Sequence, residues 1–142
     1  MGLKIIGSGS CVPEIVQDNS KFIKSSFYNS DGTKVDLPNS EIIEKFKKIT
    51  GINERRYANK DLNASDLGFI AAKNAIENAN IDPETIDYII LAHNFGDVKY
   101  KSDEIDVFPG LAVRIKNLLK IKNPQCVAYD ILFGCPGWLE AV

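Results

Sequence analysis

Two short apolar runs, YIILA at 88–92 and CVAY at 126–129, are continuous rather than alternating. A strand with one wet face alternates apolar and polar residues, so unbroken runs of this length predict strands covered on both faces. Between them, Phe108-Pro109-Gly110 leads into Leu111, Ile115, Leu118 and Leu119 at helical spacing. Upstream, Ser65-Asp66 reads as the cap of a helix over about 67–80. Its inward face carries Ala71, Ala72, Ala75 and Ala79, which admit another element close by. Asp82-Pro83 breaks the chain before the first run. Strands alternating with helices predict an α/β layered fold with a largely parallel sheet.

The first sixty residues read less regularly. Lys4–Gly9 (KIIGSG) predicts a strand and a turn ahead of Pro13. Gly7-Ser8-Gly9 is no dinucleotide fingerprint, because the third glycine is missing and Pro13 falls where the helix would open. Asp18-Asn19-Ser20 predicts the cap of a short helix carrying Phe22, Ile23 and Phe27. The stretch 28–38 is turn-rich, with a tight turn at Asp31-Gly32. Asn39 and Ser40 then open an amphipathic helix with Ile42, Ile43, Phe46 and Ile49 on one face, and Gly51 ends it.

With 142 residues the chain is long enough for one domain with a proper core. A net charge of −2 argues against a broad electrostatic grip on nucleic acid or an anionic membrane. No apolar run approaches the ~20 residues that span a bilayer. The opening MGLKIIGSGSCVPE lacks the basic start and long apolar stretch of a secretory signal, and an odd number of widely separated cysteines reads most simply as reduced, cytoplasmic thiols. Three cysteines without CxxC spacing (Cys11, Cys126, Cys135) and one histidine predict neither a disulfide framework nor a metal site.

The chemistry concentrates at the last turn, in YDILFGCPGWLEAV. In open α/β sheets, functional groups gather where strands end and helices begin. Cys135 lies at such a place, between Gly134 and Pro136-Gly137. A thiol at a helix N-terminus meets partial positive charge and free N–H donors, which favour thiolate. Pro136 suits the first helical position, and the flanking glycines would leave a substrate carbonyl room to approach the sulfur. The alternative is that Cys135 is a small buried hydrophobe, as free cysteines often are. Trp138 reads as core packing.

MGLKIIGSGSCVPE, ITGINERRYA at 49–58, SDLGFIAAKNAI, IDPETIDYIILA and the terminal GCPG occur in an order and spacing that resemble the first half of the beta-ketoacyl-acyl-carrier-protein synthase III family. The resemblance covers nearly the whole chain outside an insertion near residues 28–38. It implies a thiolase-like fold of two similar halves, with residues 1–142 as the N-terminal half and a buried nucleophile helix. By it, Cys135 takes an acyl group from a thioester and gives it to a decarboxylated malonyl thioester, in fatty-acid or related biosynthesis. The assisting His and Asn come from the second half, so this half alone is expected not to condense anything. No cofactor is implied beyond the CoA or acyl-carrier-protein thioesters that serve as substrates. The partners implied are those thioesters, the C-terminal half and a second copy in a homodimer.

Several positions depart from the family pattern. Lys45 and Ile49 stand where a Trp and an Arg flank the adenine of CoA, which leaves both CoA and a carrier protein as donors. His93-Asn94 stands where small hydroxyl residues face the acyl pocket. His93 is either a local base for Cys135 or, with Asn94, a pocket-lining or loop-capping pair. Phe108 matches a residue that walls the partner's acyl pocket across the dimer, or is a helix-entry staple beside Pro109. Lys45, Lys47 and Lys48 read as a solvated face, or as a docking patch for an acidic carrier protein. Two further functions stay open: a hydroxymethylglutaryl-CoA synthase-type or simple acyltransferase, and a non-catalytic assembly or binding half.

Overall fold

The computed structural model describes Gly2 and residues 4–142; Met1 and Leu3 of the opening motif lie outside the described residues. The chain divides into two compact units, Pro13–Asn59, and Met1–Val12 together with Lys60–Val142.

In the first unit, β1 (Ile15–Asp18) pairs antiparallel with β2 (Glu54–Tyr57). Neither strand is legible in the sequence, because four residues such as ERRY carry no apolar alternation. Asp18 caps as expected, its Oδ1 accepting from the Ser20 N–H at 2.8 Å. The turn it starts is a 3-10 helix, Asn19–Lys24, that stops short of Phe27. Asn39 helps to end it by donating to the carbonyls of Ile23 (2.7 Å) and Ser25 (2.9 Å).

The Asp31-Gly32 turn forms, with Gly32 at φ +82°, and α1 (Asn39–Thr50) runs to a left-handed cap at Gly51. The expected apolar face of α1 is only partly covered. Ile42 is buried and Phe46 meets Phe27 edge-on at 5.5 Å, but Ile49 is 82% exposed. Within this unit the 19–27 segment packs on the earlier turns of α1, and no described element covers Ile49.

The second unit holds α2 (Ala64–Ala79), β3 (Tyr88–His93), β4 (Asp97–Val98), β5 (Ile105–Asp106), α3 (Leu111–Leu118), β6 (Val127–Leu132) and α4 (Gly137–Ala141). β3 and β6 form a parallel pair, from Tyr88 opposite Val127 to His93 opposite Leu132. Leu111, Ala112 and Ile115 of α3 are buried, together with Ile121 and Cys126. This is the α/β arrangement with a parallel sheet that the apolar runs predict. One detail differs. β6 is not buried on both faces here: Ala128, Asp130 and Ile131 are half-buried, while Val127 and Tyr129 are exposed. The helix α3 covers one face of the pair; on the other, α4 reaches only the carboxyl end, and Val127 and Tyr129 of β6 stay exposed.

The cap of α2 is Asn63 rather than Ser65-Asp66; its N–H donates to Asp66 Oδ2 at 2.8 Å. Ser65 is buried and serves another end. Its N–H (2.8 Å) and hydroxyl (2.6 Å) both donate to Asp97. The polar loop after β3 therefore contains a small hairpin, β4–β5, with Asp97 opposite Asp106. Like charges facing across a strand pair repel. The Arg114 guanidinium bridges them, at 2.9 Å from Asp97 and 2.6 Å from Asp106.

Lys4–Gly9 forms no strand and pairs with none of the described ones, although the two-stranded β3–β6 sheet leaves both of its outer edges open. It lies instead against the small-residue face of α2. A Cβ on Gly7 would stand 2.6 Å from Ala79 Cβ, and one on Gly9 would overlap the Ala71 carbonyl and the Ala75 nitrogen. Side chains of α2 secure the contact: Asn78 accepts from the Ser8 N–H (3.1 Å) and Asn74 donates to the Ser10 carbonyl (3.0 Å). The alanine face of α2 thus admits a backbone rather than another helix. Gly9→Ala is expected to lower unfolding stability by about 1–3 kcal/mol in urea melts. Gly2→Ala, where nothing lies within 4 Å of the new methyl, should stay within about 0.5 kcal/mol of the parent.

Candidate active site

Cys135 follows β6 by three residues, in a turn closed by the Gly137 N–H donating to the Gly134 carbonyl at 2.8 Å. Pro136 is the N-cap of α4 rather than its first residue. The helix has five residues, and only Gly137 among them is buried by this chain. A Cβ on Gly137 would stand 3.1 Å from Ala92 Cβ and 3.3 Å from Phe133 Cβ. Its bareness therefore serves the packing of α4 against β3, not access to the sulfur. Gly134 is open, with only the Pro136 ring at 3.9 Å from such a Cβ.

A cleft of about 430 Å³ runs along the ends of β3 and α4, and His93, Asn94, Phe133, Cys135 and Trp138 are among the residues that line it. Cys135 is exposed, Cys126 is buried, and Cys11 is intermediate. Trp138, expected in the core, is 65% exposed and lines this cleft, because the single turn of α4 turns only Gly137 inward. No described residue accepts the Cys135 N–H, and no hydrogen bond among the described residues reaches its sulfur. Phe108 does not line this cleft. It is 89% exposed, so the staple role expected beside Pro109 is not formed.

His93 and Asn94 both line the cleft, but His93 is engaged elsewhere. Its Nε2 lies 3.2 Å from Asp130 Oδ2, and its Nδ1 accepts from the Gly96 N–H at 2.9 Å. The loop-capping alternative thus describes its contacts, and neither ring nitrogen is left for Cys135. Asp130 is the residue that sequence reasoning passed over. Its two oxygens accept from the first N–H groups of α3, Leu111 and Ala112, each at 2.7 Å. Burial alone would raise its carboxyl; the Ala112 and Leu111 N–H groups, then His93, hold it below the usual carboxylate range. A Cβ on Gly110 would stand 3.0 Å from Asp130 Oδ2, so the glycine permits this approach. The signal was present: an acid inside VAYDILF must find partners if the strand is covered.

No protein-family model matches the chain. Individual relatives do. A beta-ketoacyl-[acyl-carrier-protein] synthase III of Vibrio vulnificus is 34% identical over 139 residues, covering 98% of this chain and 37% of that protein. One of Staphylococcus haemolyticus is 34% identical over 144 residues, covering 100% of this chain and 38% of its own length. The crystal structure of 3-oxoacyl-[acyl-carrier-protein] synthase III from Aquifex aeolicus superposes with a TM-score of 0.73 at 31% identity, over 99% of this chain and 38% of that one.

Along its whole length the chain is homologous to beta-ketoacyl-[acyl-carrier-protein] synthase III.

The fold is accordingly thiolase-like, and the chain spans little more than a third of the length of the synthase III relatives it matches (37% and 38%). Among the sequence-predicted residues, the structure brings Cys135, His93 and Asn94 to one cleft, whereas Phe108 stands apart from it. Lys45 lies on α1 beside Glu41, Glu44 and Lys48 at a shallow groove.

The Asp130 contacts carry a pH consequence. Its carboxyl is lower in the folded chain than in the unfolded one, where it titrates near 4. The unfolded state therefore binds the extra proton as pH falls, and the stabilisation present above about pH 4 is lost below it. Asp130→Asn should flatten the dependence of urea-melt stability on pH in that acid window. At neutral pH it should cost about 1–3 kcal/mol, because one amide face would oppose an N–H donor.

Proposed function

We propose that this chain carries the acyl-accepting cysteine of a 3-oxoacyl-acyl-carrier-protein synthase III-type acyltransferase, with Cys135 as its nucleophile. The observation that carries the reading is the exposed Cys135 in the GCPG turn, at the carboxyl end of a parallel strand pair and beside a cleft. The homology to synthase III over the whole chain supports it. The Cys135 sulfur, as thiolate, adds to the carbonyl carbon of an acyl thioester. The tetrahedral oxyanion then collapses and the donor's thiolate departs, leaving an acyl-cysteine. The Cys135 N–H, which no described residue accepts, is available to that oxyanion.

In the second half-reaction a malonyl thioester loses carbon dioxide. The resulting carbanion attacks the acyl-cysteine carbon and releases the Cys135 sulfur. His93 is unsuited to serve as the base in either step, since both its ring nitrogens are engaged. Residues that assist decarboxylation are expected outside these 142 residues. The acyl donor is a CoA or carrier-protein thioester, and the working enzyme is a soluble cytoplasmic homodimer. Asn94, Phe133 and Trp138 wall the acyl site within the chain, and Phe108 reaches the site of a second copy. No described helix is long and apolar enough to cross a membrane.

Incubating the full-length protein with a panel of acyl-CoA and acyl-carrier-protein thioesters, followed by peptide mass spectrometry, is expected to place the acyl group on Cys135. Cys135→Ala should remove it, with at least a ~100-fold loss of transfer. Acylation that persists in that variant, or that maps to the buried Cys126, would overturn the assignment.

A further inference from the structure

His93 is placed to hold two walls of the Cys135 cleft at once. An ionised carboxylate only accepts, so the proton of the 3.2 Å contact with Asp130 belongs to His93 Nε2. The Gly96 N–H donates to Nδ1 at 2.9 Å, so Nδ1 is bare. The partners thus assign the Nε2–H tautomer, and the side chain is only 8% exposed.

Each bond reaches a different wall. Through Asp130, the ring is tied to β6 five residues before Cys135 and, beyond it, to the first N–H groups of α3. Through Gly96, it holds the turn that carries Asn94. That turn has little freedom of its own: Gly96 is at φ +84° and buried, and a Cβ there would stand 2.6 Å from Val107 Cγ1. The His93 main chain adds a third tie, its carbonyl accepting from the Phe133 N–H at 3.2 Å, two residues before the sulfur.

We propose that His93 is a positioning residue for Cys135: its ring clamps the carboxyl end of the β3–β6 pair to the 94–96 turn and so fixes the walls between which the acyl group is received. The inference rests on Cys135 being the acyl acceptor. It differs from a base role, in which the imidazole would exchange a proton with the sulfur. A carboxamide has the donor and the acceptor that the clamp needs but cannot act as a base near neutral pH. His93→Gln therefore separates the two roles, and His93→Ala removes both.

The test is the rate of Cys135 acylation by an acyl-CoA in the full-length protein, for the parent, His93→Ala and His93→Gln, with stability followed in parallel. His93→Ala is expected to slow acylation about 10- to 100-fold, as small misplacements of reacting groups do. His93→Gln is expected to stay within about threefold of the parent. An alanine variant as fast as the parent, or a glutamine variant slowed by tenfold or more, would overturn the proposal. If His93→Ala does not fold, the glutamine variant decides alone by the same limits. A long-range nitrogen–proton spectrum of the parent's imidazole provides a second check that needs no variant. It should show Nε2 protonated and Nδ1 bare, and a protonated Nδ1 would overturn the clamp. If the parent protein is not acylated at Cys135, the acceptor reading fails, while the imidazole spectrum still tests the clamp.

Discussion

A carboxylate inside a strand costs several kcal/mol to desolvate unless hydrogen bonds replace the lost water. Asp130 meets that cost with two backbone N–H groups at the start of α3 and the ring of His93. The consequence is geometric. The helix cannot slide along the sheet without stripping the carboxylate, and α3 carries Leu111, Ala112 and Ile115, the residues around which this unit is packed. The same carboxylate sits in the strand that leads, three residues on, to Cys135. One polar contact set thereby couples the core to the cleft.

A second buried acid does comparable work one turn further along α3, at Arg114. Asp97 joins the first turn of α2, through Ser65, to Arg114 of α3 and holds down the β4–β5 hairpin. The two acids differ in where their charge is balanced. Asp97 faces a guanidinium, whereas Asp130 faces helix-terminal N–H groups, so α3 is gripped by its backbone at one point and by a side chain at another. Between them runs the chain that carries His93, Asn94 and Gly96.

Two of the three cysteines show how little a residue type says without its place. Cys126, just ahead of β6, is 3% exposed and packs as a small hydrophobe. Cys135, nine positions later, is exposed beside an open cleft, with its N–H unclaimed by described residues. Both stand in apolar sequence. The difference comes from Gly134 and Pro136, which turn the chain out of the strand before α4 begins.

By itself the sequence determined the elements with long periodic signatures: α1, α2, α3 and the two strands of the parallel pair. It also determined the turn at Asp31-Gly32, the helix end at Gly51 and the motif order that relates the chain to synthase III. These depend on local propensity and on spacing along one chain, which sequence records directly. Tertiary structure decided the rest. The strands β1, β2, β4 and β5 are too short and polar to have a pattern, and exist because a partner lies opposite. Lys4–Gly9, with strand-like composition, is not a strand: it lies along α2 and pairs with no described edge. Whether His93 faced a thiol or a carboxylate was likewise a question of register, answered when β3 and β6 set His93 opposite Leu132 and brought Asp130 within reach of its ring. Hydrogen-bond partners far apart in sequence are chosen by where the folded backbone puts them, and no spacing along the chain encodes that choice.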